Sequence, residues 1–232
     1  AAKGTQDRKA ILGVLMQQML VKLVGADIEK VPEFLETVVR LANHKHIMFY
    51  IHDGKTQEAL SKLNWTGEIK EFDGDYLHIN DSNFAGGKSN IYLEEKVTQE
   101  IKISGGKLTK KITVEYKNPQ KHDTWLNGIN RSYVRFYVPV GSKFINSKGS
   151  DDPVSTIEDL GKTVFEAFVV TRPDNSRKLE IEYEIPYKPS GDYKLMVQKQ
   201  PGAKDFEYII KINGSQKANF KLDQDREFKF DI

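Results

Sequence analysis

The stretch Asn90–Asn118, which reads NIYLEEKVTQEIKISGGKLTKKITVEYKN, decides the fold. Two runs in it alternate apolar with polar residues, and Ser104–Lys107 (SGGK) separates them. The apolar positions are Ile91, Leu93, Val97, Ile101 and Ile103 in the first run and Leu108, Ile112, Val114 and Tyr116 in the second. Because side chains two residues apart lie on the same face of a strand, this pattern predicts two strands that each bury one face. Gly105 and Gly106 accept the positive φ of a tight turn, so the stretch predicts a β-hairpin.

Alternating runs with the same period continue along the second part of the chain. The strictest is Leu179–Ile185, in which four apolar residues alternate with three glutamates. The other runs are Tyr133–Val140, Lys162–Thr171, Tyr193–Lys199, Phe206–Ile212 and Phe228–Ile232. Strands with one buried and one hydrated face are typical of antiparallel sheets, and several short strands at this spacing favour a sandwich. We therefore predict an antiparallel β-sandwich over residues 65–232.

The chain before Trp65 has helical spacing instead. Ala10–Val21 (AILGVLMQQMLV) is uncharged but short, whereas a membrane-spanning helix needs about 20 apolar residues. Its apolar residues lie on more than one side of a helix, so we expect burial in the core, with cover by a partner as the alternative. Self-association through Ile11–Val24 is one form of that alternative.

Three further elements complete this N-terminal part. They are a helix after Gly25 with Pro32 in its first turn, a buried strand at Ile47–Ile51 (IMFYI), and a helix from Asp53 or Thr56 to about Leu63. The predicted fold class is α+β, with an N-terminal helical subdomain packed on the antiparallel β-sandwich. The predicted subdomain covers residues 1–64 and includes the one short strand.

Composition excludes several classes of function. Lys and Arg number 35 against 33 Asp and Glu, which gives a net charge of +2. Since no basic excess is present to attract a phosphate backbone, we expect no nucleic-acid partner. Cysteine is absent, so disulfides, thiolate metal sites and cysteine nucleophiles are excluded. An intramolecular Lys–Asn isopeptide bond is the covalent crosslink that remains open, and it would shorten the intact mass by one ammonia.

Three motifs could carry chemistry, and each has a simpler interpretation. Phe84–Asn90 (FAGGKSN) contains Gly-Lys-Ser but not the spacing of a phosphate-binding loop, so a tight turn is favoured. His44, His46 and His52 have no third metal ligand at convincing spacing. Phe72–Asn83 departs from the calcium-loop pattern, although calcium at a sandwich edge stays open. We therefore predict no catalytic residues, no metal site and no cofactor.

One loop offers aromatic and polar groups for binding. Trp125–Ser132 (WLNGINRS) is polar, and Trp125 and Tyr133 flank it. A tryptophan on such a loop stacks on a sugar ring or a partner's side chain, or it caps the end of the core. The candidate ligand-binding residues are Trp125, Asn127, Tyr133 and Arg135.

Several stretches, taken in order, resemble one family. They are His46–Trp65 (HIMFYIHDGKTQEALSKLNW) with Thr66-Gly67, Asn83–Asn90 (NFAGGKSN), Tyr133–Ser142 (YVRFYVPVGS), Tyr183–Pro186 and Val197–Gly202 (VQKQPG). Together they resemble the C-terminal half of the bacterial family called domain of unknown function 4012, from about Asp7 to the C-terminus. The resemblance marks Gly86, Gly87 and Lys88 as a family-like loop, with Arg135, Pro139 and Gly141 as further family-like positions, and it supplies no catalytic residues.

The resemblance also implies a location. Members carry a membrane-spanning helix near the N-terminus and a large extracytoplasmic part, so the sequence is expected to be the C-terminal portion of a membrane-anchored parent. We expect an extracytoplasmic bacterial cell-surface module that binds a partner protein or an envelope glycan without catalysis, or that serves structure and assembly. Contact with the membrane is expected only through the missing N-terminal segment. The alternative is an enzyme that acts on envelope glycan or peptidoglycan, which requires paired carboxylates about 5–10 Å apart in a cleft.

Overall fold

A computed structural model describes residues 7–25, 28–123, 126–186 and 191–231. The chain forms two compact units, residues 1–43 and residues 44–232. The first unit contains α1 (Asp7–Val24), a 3-10 helix (Ile28–Lys30) and α2 (Val31–Asn43). The second contains α3 (Gly54–Lys62) and all the described strands, so α3 belongs with the strands, whereas the sequence placed the boundary after residue 64.

The second unit is a sandwich of two six-stranded sheets, which confirms the α+β prediction. Its strands are β1 (Asp75–Asn83), β2 (Glu94–Ser104), β3 (Lys107–Asn118), β4 (Asn130–Val138), β5 (Lys143–Lys148), β6 (Ser155–Asp159), β7 (Lys162–Thr171), β8 (Asn175–Ile185), β9 (Tyr193–Gln198), β10 (Phe206–Ile212), β11 (Ser215–Leu222) and β12 (Arg226–Phe230). Sheet 1 has the order β12-β9-β1-β4-β7-β6, and sheet 2 has the order β11-β10-β2-β3-β8-β5. Neighbouring strands are antiparallel, as predicted, except for one parallel pair in each sheet, β1 with β9 and β2 with β10, so both sheets are mixed.

The predicted hairpin joins β2 and β3 at the centre of sheet 2. Ser104 pairs with Lys107, and the two residues between them, Gly105 and Gly106, have φ angles of 59° and 72°. Both angles lie in the left-handed region that side chains disfavour, which is why two glycines stand at this turn. Eight of the nine apolar positions of the two runs face sheet 1 and form one continuous core with residues of that sheet. The exception is Ile91, which is 55% exposed and lies in a 3-10 helix (Ser89–Ile91) before β2.

The outward face of sheet 2 is charged, as the alternation predicts. Lysines and glutamates on neighbouring strands pair there, for example Lys178 with Glu115 at 3.1 Å and Lys111 with Glu100 at 3.2 Å. Such exposed pairs contribute little stability each, about 0–1 kcal/mol. Burial of the inward face therefore dominates the stability of the sandwich.

The segment Ile47–Ile51 is not a strand, which corrects the prediction. Among the described residues, only the Phe49 amide bonds another backbone group there, the Trp65 carbonyl at 2.8 Å, while the Ile51 amide donates to Gln57 Oε1 at 2.9 Å. Met48, Tyr50 and Ile51 are exposed. An apolar run without a neighbouring strand has no ladder to join, so strand-forming residues alone do not make a strand here.

Of the two predicted starts of the next helix, Asp53 and Thr56, the structure has Asp53. Asp53 caps α3, because its Oδ2 accepts hydrogen bonds from the Thr56 amide at 2.9 Å and the Thr56 hydroxyl at 2.7 Å. The cap satisfies an amide that the first turn of a helix leaves without a partner.

In the first unit, α1 differs from the expectation of core burial. None of its described large apolar side chains is buried, and their exposed fractions run from 55% at Leu15 to 86% at Val24. The expectation of core burial is therefore wrong, and cover by a partner is the alternative that the sequence left open. Among the described residues no helix is both long enough and apolar enough to cross a membrane.

Candidate functional site

An acidic cavity lies between the two sheets, and it holds the most strongly perturbed carboxyl groups of the described chain. Its volume is about 350 Å³, and its lining includes Asp81 of β1, Glu95 of β2, Gln200, Lys204 and Phe206. Asp81 and Glu95 come from different sheets, so the packing of the sandwich brings them together. We call this space the acidic cavity.

A glutamine fixes the Asp81 backbone after β9 ends. The Gln200 side chain accepts a hydrogen bond from the Asp81 amide at 2.7 Å and donates one to the Asp81 carbonyl at 2.9 Å. The Gln200 amide thus replaces the backbone pairing that β9 supplies to the earlier part of β1. This clamp holds Asp81 in place at the wall of the cavity.

The Asp81 carboxyl is buried and poorly satisfied. Neither of its oxygens accepts a hydrogen bond of good geometry from a described residue, although the Ser132 and Tyr116 hydroxyls lie beside it. Burial raises the pKa of Asp81 to about 6, and the neighbouring hydroxyls oppose the change.

The pKa of the Glu95 carboxyl is raised further than that of Asp81. Burial first, and then the negative charge of Asp81, raise the pKa of Glu95 to about 8, while the Lys204 ammonium lowers it. Two carboxyl groups in one poorly solvated space do not both ionise readily, since each charge disfavours the other. At neutral pH the pair therefore holds a protonated Glu95, which can donate as well as accept a hydrogen bond.

A second, more open groove meets the acidic cavity at Glu95. This groove has a volume of about 700 Å³, and it shares Glu95, Lys204 and Phe206 with the cavity. Its other walls include Asn219, Phe220 and Lys221 of β11, and Asp205 and Glu207 around the start of β10. We call it the outer groove, and Glu95 stands where the two spaces join.

The family-like loop supports one wall of the cavity without lining it. Gly86 has a φ of 71°, and the Lys88 amide donates to the Leu126 carbonyl at 3.2 Å, so the predicted turn is present. After the turn comes a 3-10 helix (Ser89–Ile91) rather than a strand, and β2 begins at Glu94. This short helix places Asn90 and Ile91 in the lining of the cavity.

Asparagine side chains lock this loop to β4. Asn83 Nδ2 donates to Asn90 Oδ1 at 2.8 Å, and Asn130 Nδ2 donates to the same oxygen at 3.1 Å. Ser89 Oγ accepts from both asparagines, at 3.1 Å and 3.2 Å. This polar network ties the loop to β4 beside the cavity.

The structure does not gather the four sequence-predicted binding residues at the cavity. Trp125 lies outside the described residues. Asn127 is 1% exposed, and its amide holds the loop together through Asn118, Gln120 and Lys121. Its side chain is therefore occupied by structural contacts.

Tyr133 and Arg135 stand together on the outward face of sheet 1. The Tyr133 hydroxyl donates to Glu166, and its ring stacks on Phe84 with 5.3 Å between centroids. Arg135 donates to Asn80 Oδ1 at 3.1 Å and lies 3.9 Å from the Asp159 carboxylate. Both side chains are half-buried in a polar cluster that is separate from the acidic cavity.

Within the described ranges, no group of three or more His, Asp or Glu side chains is arranged to hold a metal ion. The segment Phe72–Asn83, for which calcium binding stayed open, contains β1. His78 of that strand is buried, burial lowers its pKa to about 4, and its Nδ1 lies 3.1 Å from the Gln198 carbonyl. His44 and His46 stack on each other with 6.4 Å between ring centroids.

Asp81 and Glu95 escaped the sequence analysis although the signal was present. Glu95 stands in phase with Leu93 and Val97, which are inward positions of the alternating run. Asp81 stands in phase with Leu77 and Ile79 of β1 in the same way. An acidic residue at an inward position of a strand is rare unless it is paired or functional, and that rule would have found both.

Comparison with known proteins gives no family for this chain. The sequence matches no family model and no curated protein. Among solved structures, the chain is similar to an M1 zinc metallopeptidase from Deinococcus radiodurans, with 8% identity and a TM-score of 0.29, over 60% of this chain and 38% of that one. It is also similar to a protein from Legionella pneumophila described provisionally as nutrient binding, with 9% identity and a TM-score of 0.35, over 60% of this chain and 56% of that one. The chain thus corresponds to little more than half of either protein at most.

Proposed function

We propose that this chain is a non-enzymatic binding module on the extracytoplasmic surface of a bacterium, and that it binds envelope glycan at the acidic cavity. The observation that carries the proposal is the position of Glu95 beside Asp81, at the junction of the cavity and the outer groove, where burial raises the pKa of its carboxyl to about 8. A neutral carboxyl both donates and accepts hydrogen bonds, as the hydroxyl groups of a sugar do. The ring of Phe206 lines both spaces and supplies an apolar surface for the face of a sugar.

The size of the site fits a ligand of this kind. Sites for small ligands enclose roughly 300–1,000 Å³, and they combine apolar surface with a few polar groups. The cavity has that volume, and the outer groove extends it in one direction as a chain of sugars requires. A protein partner would reach the same groove with a side chain, and it would compete with glycan at Glu95.

Membership of the family called domain of unknown function 4012 is part of the proposal, and it supplies the location. Two of the stretches that carry the resemblance, Asn83–Asn90 and Val197–Gly202, contribute Asn90, Gln200 and Gly202 to the lining of the cavity. Stretches far apart in the sequence that meet at one cavity support a shared site there.

The binding experiment compares the protein with two variants on arrays of envelope glycans and on isolated bacterial envelopes. Glu95→Ala removes the carboxyl at the junction, and we expect binding to weaken at least tenfold, which corresponds to about 1.4 kcal/mol. Glu115→Ala removes a glutamate from the outward face of sheet 2 and is expected to bind as the unchanged protein does. Binding to neither preparation, or equal binding by Glu95→Ala, contradicts the proposal. Capture of a protein from the envelope that competes at Glu95 would replace the glycan with a protein partner.

A second candidate, hydrolysis of envelope glycan, is favoured by the carboxyl pair itself. Glycosidases use two carboxyl groups, one of which is kept protonated to act as the acid. Glu95 would be that acid and Asp81 the second carboxyl. New reducing ends released from envelope glycan by the protein, and not by Glu95→Gln, would establish this activity in place of simple binding.

A further inference from the structure

A lysine and an aspartate meet in the core, one from each sheet. Asp75 is the first residue of β1, and Lys110 lies on β3 in phase with Leu108 and Ile112. Lys110 Nζ lies 2.7 Å from Asp75 Oδ2, and both side chains are fully buried. This pair is separate from the acidic cavity and bridges the two layers of the sandwich.

The surroundings of Lys110 disfavour its charged form. Apart from Asp75, Lys110 Nζ has no hydrogen-bond partner among the described residues, and it faces the ring of Tyr183 at 5.7 Å. Burial lowers the pKa of Lys110, and the charge of Asp75 only partly offsets that effect. In such a space the transfer of one proton from the ammonium to the carboxylate removes both charges, and the amine lone pair becomes free.

A hydroxyl group that can relay protons also contacts the carboxyl. The Tyr193 hydroxyl donates to Asp75 Oδ2, while Asp75 Oδ1 accepts from the Tyr76 amide at 2.8 Å. A phenol both gives and takes a proton, so it can carry a proton from an attacking nitrogen to a leaving oxygen. Nucleophile, electrophile and proton relay are therefore already in contact.

We propose that Lys110 and Asp75 condense to an intramolecular isopeptide bond that crosslinks the two sheets. The Lys110 Nζ lone pair attacks the Asp75 side-chain carbonyl carbon, and a bond from nitrogen to carbon forms. The nitrogen loses one proton, which the Tyr193 hydroxyl relays to the departing oxygen. The carbon–oxygen bond breaks, and one water molecule leaves. No oxidant, cofactor or further reactant takes part, and no charge is left in the core.

Burial and fixed geometry make this condensation favourable inside the fold. Groups held in contact react as if at very high concentration, roughly 10⁵–10⁸ M for well-aligned pairs. The crosslink joins strands from different sheets in a chain that has no cysteine for a disulfide. It would serve the purpose that a disulfide serves in other extracellular domains.

Another buried pair provides a matched control. Lys45 Nζ lies 2.8 Å from Asp225 Oδ2, and both side chains are nearly as buried. Asp225 accepts further hydrogen bonds from the Lys199 amide at 2.8 Å and from the Asn64 side chain at 2.8 Å. These donors are N–H groups, which cannot relay a proton as the Tyr193 hydroxyl can, so we expect Lys45 and Asp225 not to condense.

The test is the intact mass of the full chain after purification, followed by a digest. We expect a mass one water short of the sequence, and a single crosslinked peptide that contains Asp75 and Lys110. Lys110→Arg should have the full mass, whereas Lys45→Arg should keep the deficit. The full mass in the unchanged protein overturns the proposal, as does a deficit that persists in Lys110→Arg, because it would arise from another residue. If Lys110→Arg does not fold, the digest of the unchanged protein decides alone, since separate peptides for the two residues refute the crosslink.

Discussion

Replacement of Glu95 by glutamine should remove a dependence of stability on pH that the acidic cavity creates. The pKa of Glu95 rises from an ordinary 4.5 to about 8 in the folded protein. Between pH 4.5 and about 8, Glu95 is therefore protonated in the folded state and ionised in the unfolded state. The stabilisation from protonated Glu95 is complete below pH 4.5 and is lost as the pH rises through about 8.

The size of the effect follows from the conversion between pKa and free energy. Each pH unit in this window costs at most about 1.4 kcal/mol of the free energy of unfolding. Solvent in the outer groove screens the Glu95 charge, so we expect a total loss of only about 1–2 kcal/mol between pH 6.5 and 8.5. The window starts at pH 6.5 because His78 acts in the opposite direction below it. The pKa of His78 is lowered to about 4, and its neutral form gains stability as the pH rises towards 6.5.

Urea unfolding at a series of pH values measures this prediction. Glu95→Gln mimics the protonated carboxyl, so its free energy of unfolding should change little between pH 6.5 and 8.5. Glu115→Gln alters an exposed ion pair with Lys178, and its free energy of unfolding should vary with pH as that of the unchanged protein does. A flat profile in the unchanged protein, or the same slope in Glu95→Gln, would refute the assignment of a neutral carboxyl to the cavity.

Three further predictions address the rest of the molecule. Ile181→Asp should prevent folding, because a buried carboxylate without a partner at this fully buried position costs several kcal/mol, whereas Ile157→Asp at a 40% exposed position should fold, as circular dichroism can show. The apolar surface of α1 should cause association that depends on concentration, and Leu15→Asp should remove it; equilibrium sedimentation of a strict monomer at all concentrations would argue against this surface as an interface. Asp53→Ala should lower the free energy of unfolding through loss of the α3 cap, and no change in a urea titration would mean that the cap contributes nothing.

Alternation in the sequence was sufficient to predict most of the sandwich. The hairpin at Gly105 and Gly106 follows from local rules alone, since period and turn chemistry agree. β7 and β10 begin and end at the predicted residues. Most inward positions of these strands are apolar, and that makes the period visible.

The strands that sequence analysis missed lack a clean apolar face. β1 carries Asp75 and Asp81 at inward positions, and their partners, Lys110 and Glu95, lie on the other sheet. A local sequence pattern cannot identify a partner residue that comes close only when the two sheets pack together. β5 and β6 are exposed edge strands, and β11 is exposed at most positions, so the period there has little burial to follow.

The two errors in the N-terminal part have a common cause. Ile47–Ile51 and α1 were both judged by the apolar character of their residues. A strand also requires a neighbouring strand to pair with, and burial also requires a surface to pack against. Neither condition can be read from the segment itself, so apolar composition was a poor guide to both.

The most direct test of the acidic cavity as a binding site is an NMR titration of the Glu95 side-chain carboxyl carbon, with and without envelope glycan. We predict that the free protein shows a midpoint far above the ordinary range of glutamate, near pH 8, and that added glycan shifts this resonance at neutral pH. A midpoint near 4.5, or a resonance that ignores every glycan offered, would contradict the account.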